Sequence, residues 1–193
     1  MTKVIIFNAP PDTGKDYLVD HLVSSGVGTY YKAEFKKRLK TIVLAVYGLS
    51  EEEHTFFYLR ENKDKKFERL GGKSIRECYI EVSEDVIKPF YGKDYFGKAA
   101  VDSLVEGGVN LFSDGGFPQE LVPLVEAVGG ANVLVVRLKG VGSFVGDSRD
   151  YLSSALFPTV NFSDIVYSKD EVGLQKVIQC IDLFLDQITE GVE

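Results

Sequence analysis

The sequence predicts an α/β fold in which a mostly parallel sheet of about five strands is flanked by helices. Three observations lead there. Strand-like and helix-like segments alternate along the chain. Three runs, KVIIFN (Lys3–Asn8), VNLFS (Val109–Ser113) and NVLVVRL (Asn132–Leu138), are short, β-rich and apolar, as strands covered on both faces are. The segments between them place apolar residues at helical spacing.

After KVIIFN and the turn residues Ala9–Thr13, the segment from Lys15 to Ser25 sets Leu18, Val19, Leu22 and Val23 on one helical stripe. Gly26 and Gly28 end that helix and open a short strand near Thr29–Tyr31. Residues 36–47 predict a second helix with Leu39, Ile42, Val43 and Val46 inward, stopped at Gly48. Residues 50–72 are charged and lack a strand pattern; they read as a helix or a mobile insertion ending at Gly71-Gly72. A long helical stretch from Ser74 to Tyr91 is broken at Pro89, and 93–106 continues it as another helix. VNLFS leads into a helix from Pro118 to Val128, and NVLVVRL into a glycine-rich loop over 140–150. Asp164–Ser168 predicts a last short strand, and 171–189 an amphipathic closing helix.

The 193 residues, 45% hydrophobic and 26% charged, suit one globular domain. No apolar stretch reaches the roughly 18 residues that span a bilayer, and Met1-Thr2-Lys3 runs directly into a strand pattern rather than a signal sequence. Cys78 and Cys180 lie far apart without metal-ligand spacing and read as reduced core thiols, pointing to a cytoplasmic location. Two histidines and no Cys/His cluster argue against a zinc site. The net charge of −7 argues against a polymeric nucleic-acid partner. Residues 32–40 (KAEFKKRLK) are nonetheless strongly basic, either a field that holds phosphates or a solvated helical face.

The chemistry concentrates in Ala9-Pro10-Pro11-Asp12-Thr13-Gly14-Lys15-Asp16. A phosphate cradle needs backbone N–H groups aimed inward at a helix N-terminus, a glycine for the tight path and a lysine that reaches the β- and γ-phosphates. Gly14 and Lys15 stand in the second half of that pattern, between a β-run and an amphipathic helix. The first glycine of the pattern is Ala9, and the usual Ser/Thr after the lysine is Asp16. Asp12-Thr13-Gly14 also reads as a helix-capping turn. The Asp16 carboxylate can hold Mg²⁺, hydrogen-bond the acceptor or act as its base; it also reads as a favourable acid in a first helical turn.

The Thr-Gly-Lys-Asp run resembles the Ser-Gly-Lys-Asp loop of bacteriophage deoxynucleoside monophosphate kinases, a variant shared by the related animal phosphomevalonate kinases. Arg38-Leu39-Lys40 is similar to their Pro-(Leu/Ile)-Lys stretch. Ser74-Ile75-Arg76 and Asp94-Tyr95-Phe96 are similar to their Ser-Val-Arg and Asp-x-x-Trp landmarks, and Phe112–Glu120 to their strand-ending Asp-x-Arg followed by an acid. The resemblance spans roughly residues 3–170. It implies a P-loop, nucleoside-monophosphate-kinase-like fold, ATP and Mg²⁺ as cofactors, and a small monophosphate acceptor, in a host cytoplasm if the chain is of phage origin. Two positions depart: the arginine of Asp-x-Arg is Gly116, and the Thr that follows Gly-Lys-Asp is Tyr17. Both leave the acceptor's identity and the activity itself open.

Phosphoryl transfer needs in-line positioning and cations at the developing charge. Lys15 is the expected cation on the transferred group, with Asp16 beside it and Arg149 swinging in from a lid. Ala9 through Lys15 together with Tyr17, Arg137 and Lys169 are expected around the nucleotide, Lys169 on the strength of the resemblance. Arg38, Lys40 and Arg76 are the candidates for the acceptor phosphate; each also reads as a surface charge. Tyr95 is expected to stack on the acceptor and Glu120 to border it. Asp114, at a strand C-terminus, is expected to position Mg²⁺ or a substrate hydroxyl, or to cap the turn at Gly115-Gly116. The expected organisation is one domain over 1–193: a core (about 1–49 and 107–193), a helical acceptor-binding insertion (about 50–106) and a lid (about 139–152). Partners are a nucleoside triphosphate and a small monophosphate, with room for a homodimer and no membrane. Three readings stand: a (deoxy)nucleoside monophosphate kinase, a P-loop kinase for a modified-base nucleotide or other phosphorylated acceptor, and a nucleotide-binding protein without turnover.

Overall fold

The computed structural model of the chain describes residues 1–26, 28–147 and 149–189. Five strands, β1 (Lys3–Asn8), β2 (Tyr30–Ala33), β3 (Val109–Phe112), β4 (Val133–Lys139) and β5 (Asn161–Val166), form one sheet in the order β2-β3-β1-β4-β5. Every neighbouring pair is parallel. The helices are α1 (Lys15–Ser24), α2 (Lys36–Tyr47), α3 (Glu51–Tyr58), α4 (Ile75–Glu81), α5 (Lys88–Tyr91), α6 (Tyr95–Val101), α7 (Pro118–Val128) and α8 (Glu171–Thr189).

The unbroken apolar character of β1 follows from cover on both faces. Ile5 and Phe7 meet Leu18, Val19 and Leu22 of α1 and Val177, Ile181 and Phe184 of α8. Val4 and Ile6 point the other way, onto Leu121 and Leu124 of α7 and Ala100 of α6. Each such aliphatic side chain contributes about 1.5–3 kcal/mol through burial. A third apolar cluster, including Val43, Phe57, Ile75, Cys78 and Phe96, holds the helical segment together. Both cysteines are free, Cys78 buried and Cys180 half-buried. Among the described residues no helix is long and apolar enough to cross a membrane.

Two sequence expectations need revision, and one open choice is decided. Residues 50–72 take the helical alternative, with a capped helix at Glu51–Tyr58. The Ser50 hydroxyl accepts from the Glu53 N–H, and the Glu53 carboxylate accepts from the Ser50 N–H; Arg69 then ties the following turns back to Glu53 and the Gly48 carbonyl. Pro89 does not break its helix: a π-helical turn over Val82–Ile87 rephases the chain so that Pro89 falls in the first turn of α5, where its missing N–H costs nothing. The last strand begins at Asn161 rather than Asp164, because pairing starts at Leu134–Asn161. As an edge strand with exposed Asp164 and Val166, it lacks the apolar run that marks β1 and β4.

β1 leads into α1 on one face of the sheet, and the neighbouring β3 leads into α7 on the other. Connections that diverge in this way leave a crevice at the C-terminal ends of the two strands, where open parallel sheets bind ligands.

Candidate functional site

The loop after β1 occupies that crevice. Its path turns on two residues in the left-handed region, Asp12 (φ 60°) and Gly14 (φ 91°). Ala9 has no positive φ, so the absence of glycine there costs the backbone nothing. Thr13 is fully buried, and its hydroxyl donates to the Pro10 carbonyl at 2.7 Å. It does not cap α1, which begins after Gly14 with no side-chain cap; the capping-turn reading of Asp12-Thr13-Gly14 is thereby set aside. Lys15 is 8% exposed and folds into the loop's own concavity, donating to the carbonyls of Ala9 (2.8 Å) and Pro10 (2.7 Å). Burial, reinforced by the nearby Arg149 charge, pulls its ammonium down to about 8. Around the rim, Lys169 donates to the Asp12 carbonyl at 2.6 Å, and Arg60 from beyond α3 pairs with the Asp12 carboxylate at 3.0 Å.

Beside the loop, the Ser113 hydroxyl at the end of β3 donates to the Asp16 carboxylate at 2.5 Å. Asp114 does not join them. Its two oxygens accept from the Phe35 N–H (3.1 Å) and the Lys36 N–H (2.9 Å), so it caps α2 from across the sheet rather than the turn at Gly115-Gly116. With both oxygens so engaged, the expected pairing of Asp16 with Asp114 around a metal gives way to Asp16 with Ser113. Burial raises the Asp114 carboxyl above its usual range, opposed by Lys36.

Arg149 closes the far side. Its Nε and Nη2 donate to the two carboxylate oxygens of Asp147 at 2.9 and 2.8 Å, a fork that holds Asp147 down to about 2. Its stem lies against Gly116, where a Cβ would come within 2.9 Å of Cδ. The base of this segment is anchored: the Asn8 side chain accepts from the Leu152 N–H at 2.7 Å, and Gly142 packs so tightly on the loop that a Cβ would sit 2.9 Å from the Pro11 carbonyl oxygen. Gly142 therefore serves close docking more than swing.

Glu120, in the first turn of α7, has a buried Oε2 with no hydrogen-bond partner among the described residues. Burial and then the neighbouring Asp114 raise its carboxyl to about 8 from the usual 4.5. Between those values the folded chain holds a proton that the unfolded chain releases, so this group's contribution to stability is lost as pH rises through about 8. Glu120→Gln is expected to remove that dependence and stabilise the protein at pH 8.5 relative to pH 6 by about 1–3 kcal/mol. Thermal melts at the two pH values read it, and an equal shift at both would refute the assignment.

Several expected site residues are engaged with other partners. Arg137 pairs with Asp164, its register neighbour on β5, and donates to the Leu152 carbonyl at 3.1 Å, so it ties strands together. Arg38 lines a groove of about 250 Å³ between α2 and the segment around α6. Lys40 is paired with Glu51 at 2.6 Å, and Arg76 with Asp64 at 2.6 Å, although the Arg76 charge still reaches Asp147. Tyr95 packs between Tyr91 and Phe96 against the helical core, so the stacking role expected of it gives way to packing. Tyr17 is 74% exposed and stacks on His21, outside the loop.

Ser113, Asp147 and Lys36 are the site residues that sequence reasoning passed over. Ser113 ends VNLFS, one residue before the acid that drew attention, and Lys36 opens the helix within the basic run 32–40.

No protein-family model and no curated protein matches the chain. Among solved structures it is similar to a gluconokinase from Sinorhizobium meliloti 1021, at 12% identity, with 98% of this chain and 95% of that chain covered and a TM-score of 0.42. A likeness at that level does not bear on substrate or reaction.

Proposed function

We propose that the chain is a phosphotransferase that moves the γ-phosphoryl of ATP onto a small phosphorylated acceptor, with a (deoxy)nucleoside monophosphate as the acceptor class. The observation that carries this reading is the ammonium of Lys15, buried inside a loop with two left-handed residues at the N-terminus of α1 and held, among the described residues, by two carbonyls of that loop. An ammonium in that position exchanges weak carbonyl partners for phosphate oxygens, at a helix end that already favours an anion. Arg149, on the opposite wall, brings a planar fork to the same space.

Mg²⁺ fits the donor set. Among the described residues no three His, Cys, Asp or Glu side chains converge as a metal cage. Asp16 and Ser113 instead offer one carboxylate and one hydroxyl, which suits an ion that takes one or two protein oxygens and completes its shell with water and phosphate. In P-loop enzymes the hydroxyl ordinarily follows the loop lysine and the acid ends a strand; here the two chemistries are exchanged between the same two places. When bound, the ion would neutralise charge on the β- and γ-phosphates, and Asp16 and Ser113 would hold it. Asp16→Asn is expected to weaken Mn²⁺ binding to the protein–ADP complex at least about tenfold, with Ser113→Ala costing less. Paramagnetic titration measures both, and unchanged affinity in Asp16→Asn would remove the carboxylate from this role.

The reaction is tested by incubating purified protein with ATP, Mg²⁺ and a panel of ribo- and deoxynucleoside monophosphates, sugar phosphates and other phosphate esters. Formation of ADP that depends on one acceptor class supports the reading. Binding of ATP without transfer to any acceptor would replace it with a nucleotide-binding role.

A further inference from the structure

The ammonium of Lys36 is unusual in this cleft. It stands at the first position of α2, with Asp16, Asp114 and Glu34 all close enough to act on it, yet among the described residues it makes no hydrogen bond or ion pair. Every other cation at the site is engaged: Lys15 with loop carbonyls, Arg149 with Asp147, Lys169 with Asp12. What Lys36 does approach is the ring of Tyr58, whose centroid lies 6.0 Å from Nζ.

Tyr58 is the last residue of α3, and its ring is held from behind. His54 stacks on it with centroids 5.1 Å apart and planes 20° from parallel, and Tyr79 lies 5.6 Å away. His54 is in turn fixed by a 2.8 Å hydrogen bond between its Nε2 and the Tyr79 hydroxyl. The residue remains 40% exposed despite this backing. An aromatic ring backed by His54 and still partly exposed thus has over it a half-buried ammonium that makes no ion pair among the described residues.

We propose that Lys36 and Tyr58 form the acceptor subsite, with Lys36 receiving the acceptor's phosphate and the open part of Tyr58 receiving a planar ring. The chemistry selected is a phosphate monoester carried by an aromatic heterocycle, a nucleoside monophosphate rather than a sugar phosphate. This inference rests on the phosphotransferase reading above and adds to it the residues that would hold the acceptor. Burial disfavours the charge on Lys36, and Tyr58 with Asp114, Asp16 and Glu34 more than offsets it, so an incoming phosphate meets a charged ammonium that makes no ion pair among the described residues. Stacking on an aromatic face adds affinity for a base. It is tolerant of base identity, so the ring selects nucleotides as a class.

The test is calorimetric binding of the four deoxynucleoside monophosphates, ribose 5-phosphate and ATP to the wild type, Lys36→Met, Tyr58→Leu and Tyr58→Phe, with turnover measured on the same set. Lys36→Met is expected to weaken every monophosphate at least about tenfold and leave ATP within about twofold. Tyr58→Leu is expected to weaken nucleotides by a similar factor and spare ribose 5-phosphate, with Tyr58→Phe close to wild type. Turnover of a non-aromatic phosphate, with both variants behaving as wild type, would overturn the subsite and leave phosphoryl transfer standing. Equal losses for ATP and monophosphates in Lys36→Met would assign the lysine to the donor side and overturn the subsite as well. Absence of transfer to any acceptor, with ATP bound, removes the phosphotransferase reading itself.

Discussion

Lys15→Ala is expected to lower phosphoryl transfer by at least about 10²-fold while the protein remains folded, in line with removing one cation from a transition state. The fold should tolerate the change. The α1 stripe of Leu18, Val19 and Leu22 packs without help from Lys15, and the Pro10 carbonyl keeps its bond from Thr13. Only the Ala9 carbonyl loses its partner, at a cost of about 1 kcal/mol.

The same residue sets a pH dependence whose sign can be worked out. In the free protein the ammonium titrates near 8, because burial and Arg149 disfavour its charge. Bound phosphate favours that charge, so binding above this pH draws in a proton, and affinity falls about tenfold per pH unit as pH rises past 8. Calorimetry at pH 9 in two buffers of different ionisation enthalpy would report uptake by the wild type and none by Lys15→Ala. Full activity in the variant, or equal proton uptake, refutes the assignment.

For Arg149→Ala the expected loss in kcat is about 10³-fold, or roughly 4 kcal/mol of transition-state stabilisation, with little change in ATP affinity. The geometry behind this is the fork on Asp147, which holds the guanidinium still and fully charged, and the bare backbone of Gly116, which lets the stem pass. Arg149→Lys should recover little of the activity. A single ammonium cannot keep both contacts to Asp147 and also present a flat donor face to a transferring phosphoryl group. Asp147→Asn weakens the clamp and is expected to fall between wild type and Arg149→Ala. Steady-state kinetics decide the matter: a drop of less than about tenfold in Arg149→Ala would remove Arg149 from the transfer step.

The parts of this molecule that sequence reading reached share a physical cause. KVIIFN, VNLFS and NVLVVRL are buried on both faces, and residues 36–47, 118–128 and 171–189 carry a period of 3.6 against a single surface. Burial writes itself into composition along these segments, although Val46, expected inward on 36–47, is 58% exposed. Gly14 and Lys15 were legible for a similar reason, since a left-handed turn feeding a helix calls for a narrow set of residues. The edge strand β5 escaped because one open side relaxes the demand for apolar residues.

The partners of the polar side chains were of another kind. Asp114 could have turned to a metal or to its own loop; it caps α2 because β2 and β3 are neighbours and bring the Phe35 and Lys36 N–H groups beneath it. Arg137 is engaged by Asp164 through strand register, Lys40 by Glu51, and Lys36, in the same basic run, makes no ion pair among the described residues. Local order along the chain sufficed for the layered α/β framework and the loop at its centre, because hydrophobic burial acts on each segment separately. Which charges meet in the crevice was decided only by three-dimensional packing, because a charge on a surface helix satisfies the chain equally well facing water, an acid or a ligand.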